Sequence, residues 1–126
     1  MPNPQSPEDI CRRFKLAMAD GDLDAVLAVY DPEAVIVNRS GEVLKGRAGL
    51  KQELAPLVAA KPRFDYDIRL IAEGGDIALM HTAWTVSGPE TLQVHAIEVA
   101  RRQADGSWLW LIGDPFTVNR ETGPRA

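Results

Sequence analysis

Few side chains in these 126 residues are placed to do chemistry, and the first is Glu98 in Gln93-Val94-His95-Ala96-Ile97-Glu98-Val99-Ala100. On a strand, alternate residues share a face, so Val94, Ala96, Glu98 and Ala100 point one way and His95, Ile97 and Val99 the other. If the first set lines a cavity, Glu98 is a carboxyl among small apolar groups. Desolvation then raises its pKa and suits it to general acid or base work. The competing reading is a carboxylate at a wet strand edge, paired with Arg101 or Arg102. Cys11 falls in an amphipathic stretch with no His beside it, the pattern of a packed thiol rather than a nucleophile. No Gly-x-Ser-x-Gly elbow, glycine-rich phosphate loop or dinucleotide fingerprint occurs, so no cofactor is expected. One Cys and two His are too few for a soft-metal site, and no metal is expected either.

The totals narrow the class. The chain has the length of one domain, residues 1–126, with a core over about 7–117 and a frayed tail at 118–126. With 45% apolar and 25% charged residues it is composed like an ordinary globular protein, which removes disordered and fibrous classes. A net charge of −4 without a basic cluster argues against nucleic acid or an anionic membrane as partner. No apolar run reaches the roughly 20 residues of a membrane helix, and Met1-Pro2-Asn3-Pro4-Gln5-Ser6 lacks a signal-peptide pattern. With a lone Cys, the expectation is a cytoplasmic protein.

The elements that must position these groups can be read in order. Ser6 caps a first helix with Pro7 at its first position, Glu8 and Asp9 in its first turn, and Ile10, Phe14, Ala17 and Met18 as one apolar stripe. Gly21 stops it, and Asp22 caps a short second helix with Leu23, Val26, Leu27 and Tyr30 inward, ended by Asp31-Pro32. A strand over Ala34 to Asn38 turns at 39–42 into Val43-Leu44-Lys45. A third helix follows from Arg47 to about Lys61, with Leu50, Leu54, Leu57 and Val58 on one face and a kink or early end expected at Pro56. The period then changes to that of strands: Phe64 to Leu70, Ile77 to Val86, Thr91 to Arg102 and Ser107 to Phe116, with turns at Gly74-Gly75-Asp76 and Ala104-Asp105-Gly106. The fold class is α+β: three helices packed on one face of a strongly curved antiparallel or mixed sheet, forming a cone with one internal pocket.

Three segments carry a family resemblance. They are Gly21-Asp22-Leu23-Asp24 running to Asn38, then Lys45-Gly46-Arg47-Ala48-Gly49-Leu50, and Glu98-Val99-Ala100-Arg101-Arg102 continuing through Asp105-Gly106-Ser107-Trp108 to Asp114-Pro115-Phe116. In this order and spacing the chain resembles the nuclear-transport-factor-2-like superfamily, and within it the SnoaL-like and ketosteroid-isomerase-homologue subgroup. Ketosteroid isomerase works with a hydrogen-bonding Tyr, a protonated Asp and an Asp base. By that resemblance the Tyr falls at Phe14, the base at Asn38 and the protonated Asp at or near Glu98. Phe14 cannot donate a hydrogen bond and Asn38 is not basic, which argues against steroid-isomerase chemistry there but leaves other reactions in the cone open.

The resemblance also implies pocket-facing positions at Met80, Thr82, Trp84 and Val86, so His81 points away, as His95 does by parity. With the opposite parity, His81, His95 and Glu98 would meet as a metal site, although no ligand spacing supports one. Trp84, Met80 and Met18 are expected as apolar pocket wall or core filling, with the Tyr30 hydroxyl either entering the pocket or wet. In SnoaL-type cyclases a last-strand carboxylate is the acid/base, which makes Asp114 a second candidate beside the plain reading of Asp114-Pro115 as a strand-ending turn. Were Glu98 and Asp114 both inward they would form an acid/base couple, with Asn38 holding a substrate carbonyl or a water. Two functions follow as expectations. One is a cofactor-independent isomerase, cyclase or dehydratase on a small apolar carbonyl compound; the other is a non-catalytic ligand-binding or association module. A homodimer through the sheet face around His81, Thr85, His95 and Ile97 is expected with either.

Overall fold

The structure is a computed structural model and describes residues 3–88 and 91–115. The expected strand end at Phe116, the tail at 118–126 and the 89–90 part of the loop before the fifth strand lie outside the described residues. Helix α1 (Pro7–Asp20) begins where the Ser6 hydroxyl accepts the Asp9 N–H at 3.2 Å. It ends at Gly21, whose φ of 66° lets its N–H reach back to the Ala17 and Met18 carbonyls. Helix α2 (Leu23–Leu27) is capped by the Asp22 carboxylate, which accepts the Ala25 N–H at 3.1 Å.

Strand β1 (Tyr30–Val37) corrects the expected boundary. Tyr30 opens the strand rather than closing a helix, and Asp31-Pro32 lies within it. A proline inside a strand is tolerated where the ladder breaks. Here Tyr30 pairs with Trp110 and Val35 with Ile112, so five steps along β1 answer to two along its neighbour. The excess bulges out and takes Pro32 off the ladder. Asn38 falls just beyond the strand.

The remaining elements are β2 (Val43–Lys45), α3 (Gly46–Ala59), β3 (Arg63–Gly74), β4 (Ile77–Ser87), β5 (Leu92–Arg102) and β6 (Trp108–Asp114). Helix α3 runs through Pro56 unbroken. Pro56 is exposed, so water can serve the carbonyl its missing N–H would have served. Leu50, Leu54 and Val58 are buried, whereas Leu57 is 36% exposed and stands at the edge of the helix's apolar face. The six strands lie in the order β2-β1-β6-β5-β4-β3, antiparallel except for the parallel β1–β6 pair, so the sheet is mixed. Its concave face is packed against the helices, and Ile10, Met18, Leu50 and Met80 are fully buried between them.

Register decides which residues face that core. Strands β4 and β5 pair without a break from Ile77↔Arg101 to Val86↔Leu92, with Met80 opposite Glu98. Strand β3 does not pair so evenly. Ile68 faces Thr82 and Leu70 faces His81, so Arg69 is an extra residue and parity flips past it. The alternation from Phe64 therefore stops at Ile68. Leu70 turns outward, 49% exposed, and Ile71 takes the inward place beside Met80.

A buried ion pair ties the bulged start of β1 to β5 across β6. Asp31, 1% exposed, accepts two hydrogen bonds from the Arg101 guanidinium at 2.8 and 3.0 Å, one from the Gln103 amide at 2.9 Å and one from the Glu33 N–H at 2.9 Å. Burial alone would raise the Asp31 pKa; the Arg101, Glu33 and Gln103 donors outweigh it and hold the carboxyl below its ordinary value. Asp31→Ala strands these donors, but the half-buried Arg101 can still reach water. The expected loss is about 2 kcal/mol, less than for a fully enclosed pair, and urea denaturation followed by circular dichroism measures it.

Candidate functional site

Between the helices and the concave face of the sheet lies a cavity of about 220 Å³, room for roughly seven waters. Its wall is aromatic. Phe14 from α1 meets Phe64, Trp84 and Trp110 edge-on, each at a centroid distance of 5.3 Å, and Tyr30 leans on Trp110 at 5.5 Å. The stripe periodicity of α1 and the inward parity of four strands bring these rings together. Arg39, Leu57 and Leu92, exposed members of the lining, mark the mouth, and Glu53 of α3 joins them.

Glu98 is the buried carboxyl of the cavity wall. It is 6% exposed and lines the cavity from β5. The Thr82 hydroxyl donates to Oε1 at 2.8 Å and the Trp84 indole N–H donates to Oε2 at 3.2 Å, both from β4. Burial pushes the Glu98 pKa up to about 7, against the opposing pull of these two donors. The wet-edge reading therefore fails: Arg101 is paired with Asp31 and Arg102 with Asp76. A carboxyl with this midpoint changes protonation near neutral pH, as an acid or base catalyst must.

Tyr30 is buried and lines the same cavity. Burial and then the nearby Glu98 raise its pKa, so its hydroxyl stays protonated and available as a donor. Cys11 is fully buried, and burial, followed by Glu98, pushes its thiol pKa upward, which leaves no thiolate for nucleophilic attack.

Of the other expected site residues, Phe14 and Trp84 line the cavity and several do not. Met18 and Met80 are fully buried in the core and do not line the cavity. Thr82 is also fully buried, and its hydroxyl serves Glu98 rather than a ligand. Asn38 is taken up by its own turn: its Oδ1 accepts the Ser40 and Glu42 N–H groups at 3.0 and 2.9 Å, and it does not line the cavity. It cannot hold a substrate carbonyl from there.

Asp114 and Glu98 do not form an inward couple. Glu98 stands opposite Gly113 and Asp114 opposite Ile97, so their side chains have opposite parity, and Asp114 reaches the lining only at the end of its strand. His81 and His95 lie on the outer face, ring centroids 5.7 Å apart, across the sheet from Glu98. That rules out the metal site the reversed parity would have made. Among the described residues no cluster of three metal-ligating side chains occurs.

Trp110, Glu53 and Arg39 belong to the lining without having been foreseen. Trp108 and Trp110 sit two apart in a strand, so shared parity with the core was a usable signal for Trp110. Glu53 carried none, since on helix periodicity it reads as solvated.

A SnoaL-like domain matches residues 11–110 of the sequence. The chain belongs to the SnoaL-like domain family. Solved proteins of the NTF2-like family share its fold. A proposed calcium/calmodulin-dependent protein kinase type II association domain from Thiobacillus denitrificans ATCC 25259 superposes with a TM-score of 0.77 at 21% identity, covering 93% of this chain and 100% of that one. A proposed dehydratase of the NTF2-like family from Streptomyces avermitilis gives 0.66 at 19% identity, with 83% and 88% covered. An epoxide hydrolase/cyclase-like enzyme with a role in pyran ring formation in the polyether salinomycin gives 0.61 at 19%, with 86% and 88% covered. At these identities the likeness concerns the fold. No curated protein matches the sequence. No helix among the described residues is long and apolar enough to cross a membrane.

In this SnoaL-like cavity burial raises the proton affinity of Glu98 and the donors on β4 moderate it. Thr82→Val removes a bond that favours the ionised carboxylate, so the Glu98 midpoint rises above about 7, while Thr82→Ser keeps it in place. Carboxyl ¹³C NMR titration reads both variants. The stability of the fold follows the same group. Glu98 holds its proton more tightly folded than unfolded, so its contribution is complete below the unfolded value of 4.5 and is lost as pH rises through about 7. The loss is on the order of 3 kcal/mol and should be absent in Glu98→Gln, as thermal melts across that pH range will show.

Proposed function

We propose that this protein is a cofactor-independent enzyme acting on a small, largely apolar carbonyl compound, with Glu98 as the acid/base of an isomerisation, cyclisation or dehydration. The observation that carries the reading is the burial of Glu98 in an aromatic cavity with its proton midpoint moved to about 7. All three reactions turn on moving a proton at a carbon beside a carbonyl, and a carboxyl half-ionised near neutrality can both take and return it. The Tyr30 hydroxyl, on the same wall, is the group to donate to the carbonyl oxygen as it gains charge. The dehydratase and the cyclase-like enzyme among the structural relatives are consistent with such chemistry. A reducing, cytoplasmic setting suits the single unpaired Cys11.

A second reading, association, is favoured by the outer face of the sheet. The register aligns Leu70, His81 and Ile97 in one row across β3, β4 and β5, and Leu79, Val99 and Ile112 in the next across β4, β5 and β6. Leu70, Leu79, Ile97 and Ile112 are each 36–49% exposed, a contiguous apolar face of the kind that marks an interface. A second copy of the chain is the occupant proposed, since rows running across a sheet can pack on themselves about a two-fold axis. The kinase association domain among the structural relatives fits that reading.

Each reading has its test. Cyclohex-2-enone incubated with the protein in D₂O should exchange its α- and γ-hydrogens, at a rate that rises with pH to a plateau above about 7 and falls by about 10²–10⁴-fold in Glu98→Gln. A bound ketone that exchanges no faster than in buffer would sink the base role. For the dimer, analytical ultracentrifugation at micromolar protein should give twice the chain mass, and Leu79→Glu should return a folded monomer.

A further inference from the structure

The same cavity carries a second kind of ligand chemistry that proton transfer does not use. Glu98 is enclosed, and both its oxygens are held by neutral donors, the Thr82 hydroxyl and the Trp84 indole N–H. No basic side chain among the described residues acts on it. The nearest guanidinium groups along β5 are committed: Arg101 to Asp31 at 2.8 Å and Arg102 to Asp76 at 2.6 Å. Among the described residues an ionised Glu98 therefore meets no counter-charge, the least favourable state for a carboxylate in a protein interior. Five rings, Phe14, Tyr30, Phe64, Trp84 and Trp110, share the cavity lining with it, neighbouring centroids 5.3–6.2 Å apart. Aromatic faces attract cations, and a ring of them beside one acid is the construction that recognises organic ammonium groups. Glu53 and, at the end of β6, Asp114 add carboxyls to the lining, and Arg39 is its cation among the described residues.

We propose that the cavity binds small organic ammonium ions, with Glu98 as the counter-charge and the aromatic wall enclosing the rest of the molecule. The ligand class is a primary amine on an apolar body small enough for about 220 Å³. In the bound state Glu98 is ionised, so an amine competes with the neutral carbonyl ligand and withdraws the acid/base group while it is there. This goes beyond the carbonyl chemistry proposed above and does not depend on it.

Benzylamine, benzyl alcohol and cyclohex-2-enone serve as probes in isothermal titration calorimetry. At about pH 8.5, above the Glu98 midpoint of about 7, benzylamine should bind at least about tenfold more tightly than the isosteric alcohol. At about pH 5.5 that preference should disappear, because Glu98 is then protonated while the amine is still charged. Glu98→Gln should abolish the preference at both pH values. A second measurement needs no variant: saturating benzylamine should lower the Glu98 carboxyl midpoint by about one pH unit or more in ¹³C NMR, and benzyl alcohol should not. Equal or stronger binding of the alcohol, or an unmoved Glu98 midpoint, overturns the proposal. If cyclohex-2-enone binds without any amine preference, the ammonium site alone falls; if none of the three binds, the carbonyl reading falls with it.

Discussion

The unbroken pairing of β4 with β5 is the constraint on which the interior of this protein depends. Ten consecutive residue pairs without a bulge, Ile77↔Arg101 to Val86↔Leu92, fix every side chain of the two strands to one face or the other. A slip of one residue by β5 would turn Glu98 out of the core and bring His95 in, and a slip by β4 would exchange Thr82 and Trp84 for His81. Because the register holds, Thr82 and Trp84 stand close enough to Glu98 to donate to both of its oxygens. A buried carboxyl without those donors would cost several kcal/mol of desolvation. With them it is tolerated, and remains responsive to pH.

The bulges elsewhere do the opposite work. At Arg69 on β3 the extra residue turns Leu70 out and Ile71 in, which keeps the inner face apolar while building an apolar row on the outer one. At the start of β1 the bulge removes Pro32 from the ladder and leaves Asp31 where Arg101 can grip it across β6. Between Val99 and Ala100 of β5, opposite Leu111 of β6, a third irregularity sets Trp110 inward beside Phe14 and Ile112 outward. Regular pairing thus holds the polar centre of the cavity, and irregular pairing shapes its two borders.

The two ligand chemistries proposed for the cavity both rest on one enclosed carboxyl, Glu98, whose protonation states are of similar free energy at neutral pH. Protonated, it is a donor in an apolar room and suits a neutral carbonyl oxygen. Ionised, it is an acceptor that meets no cation among the described residues, which suits an ammonium group. Cavity shape selects neither, since the aromatic rings accept a flat neutral body and a cation alike. The outer face of the sheet is separate from both, lying on the other side of the same strands.

Much of this was determined by the sequence alone. The caps at Ser6, Gly21 and Asp22, the stripe from Ile10 to Met18, the long strands and their turns are local signals, because helix caps and strand alternation act within a few residues. The alternation in β5 likewise placed Glu98 with Val94, Ala96 and Ala100, and that assignment needed only the regularity of one strand. The tertiary structure decided what depends on a partner. Asn38 reads as a strand-end residue facing a pocket, yet its side chain folds back onto its own turn. Asp114 reads as a companion to Glu98, yet its pairing with Ile97 gives it the opposite parity, and it meets the cavity only at the strand's end. Thr82 and Met80 share the parity of the wall, and Met18 its helix stripe, yet all three are fully buried and outside the lining, since parity and stripe give direction and not depth. Bulge positions, depth and the two donors on Glu98 arise from contacts between residues far apart in the chain. No local pattern encodes these, and they determine whether the buried carboxyl can work.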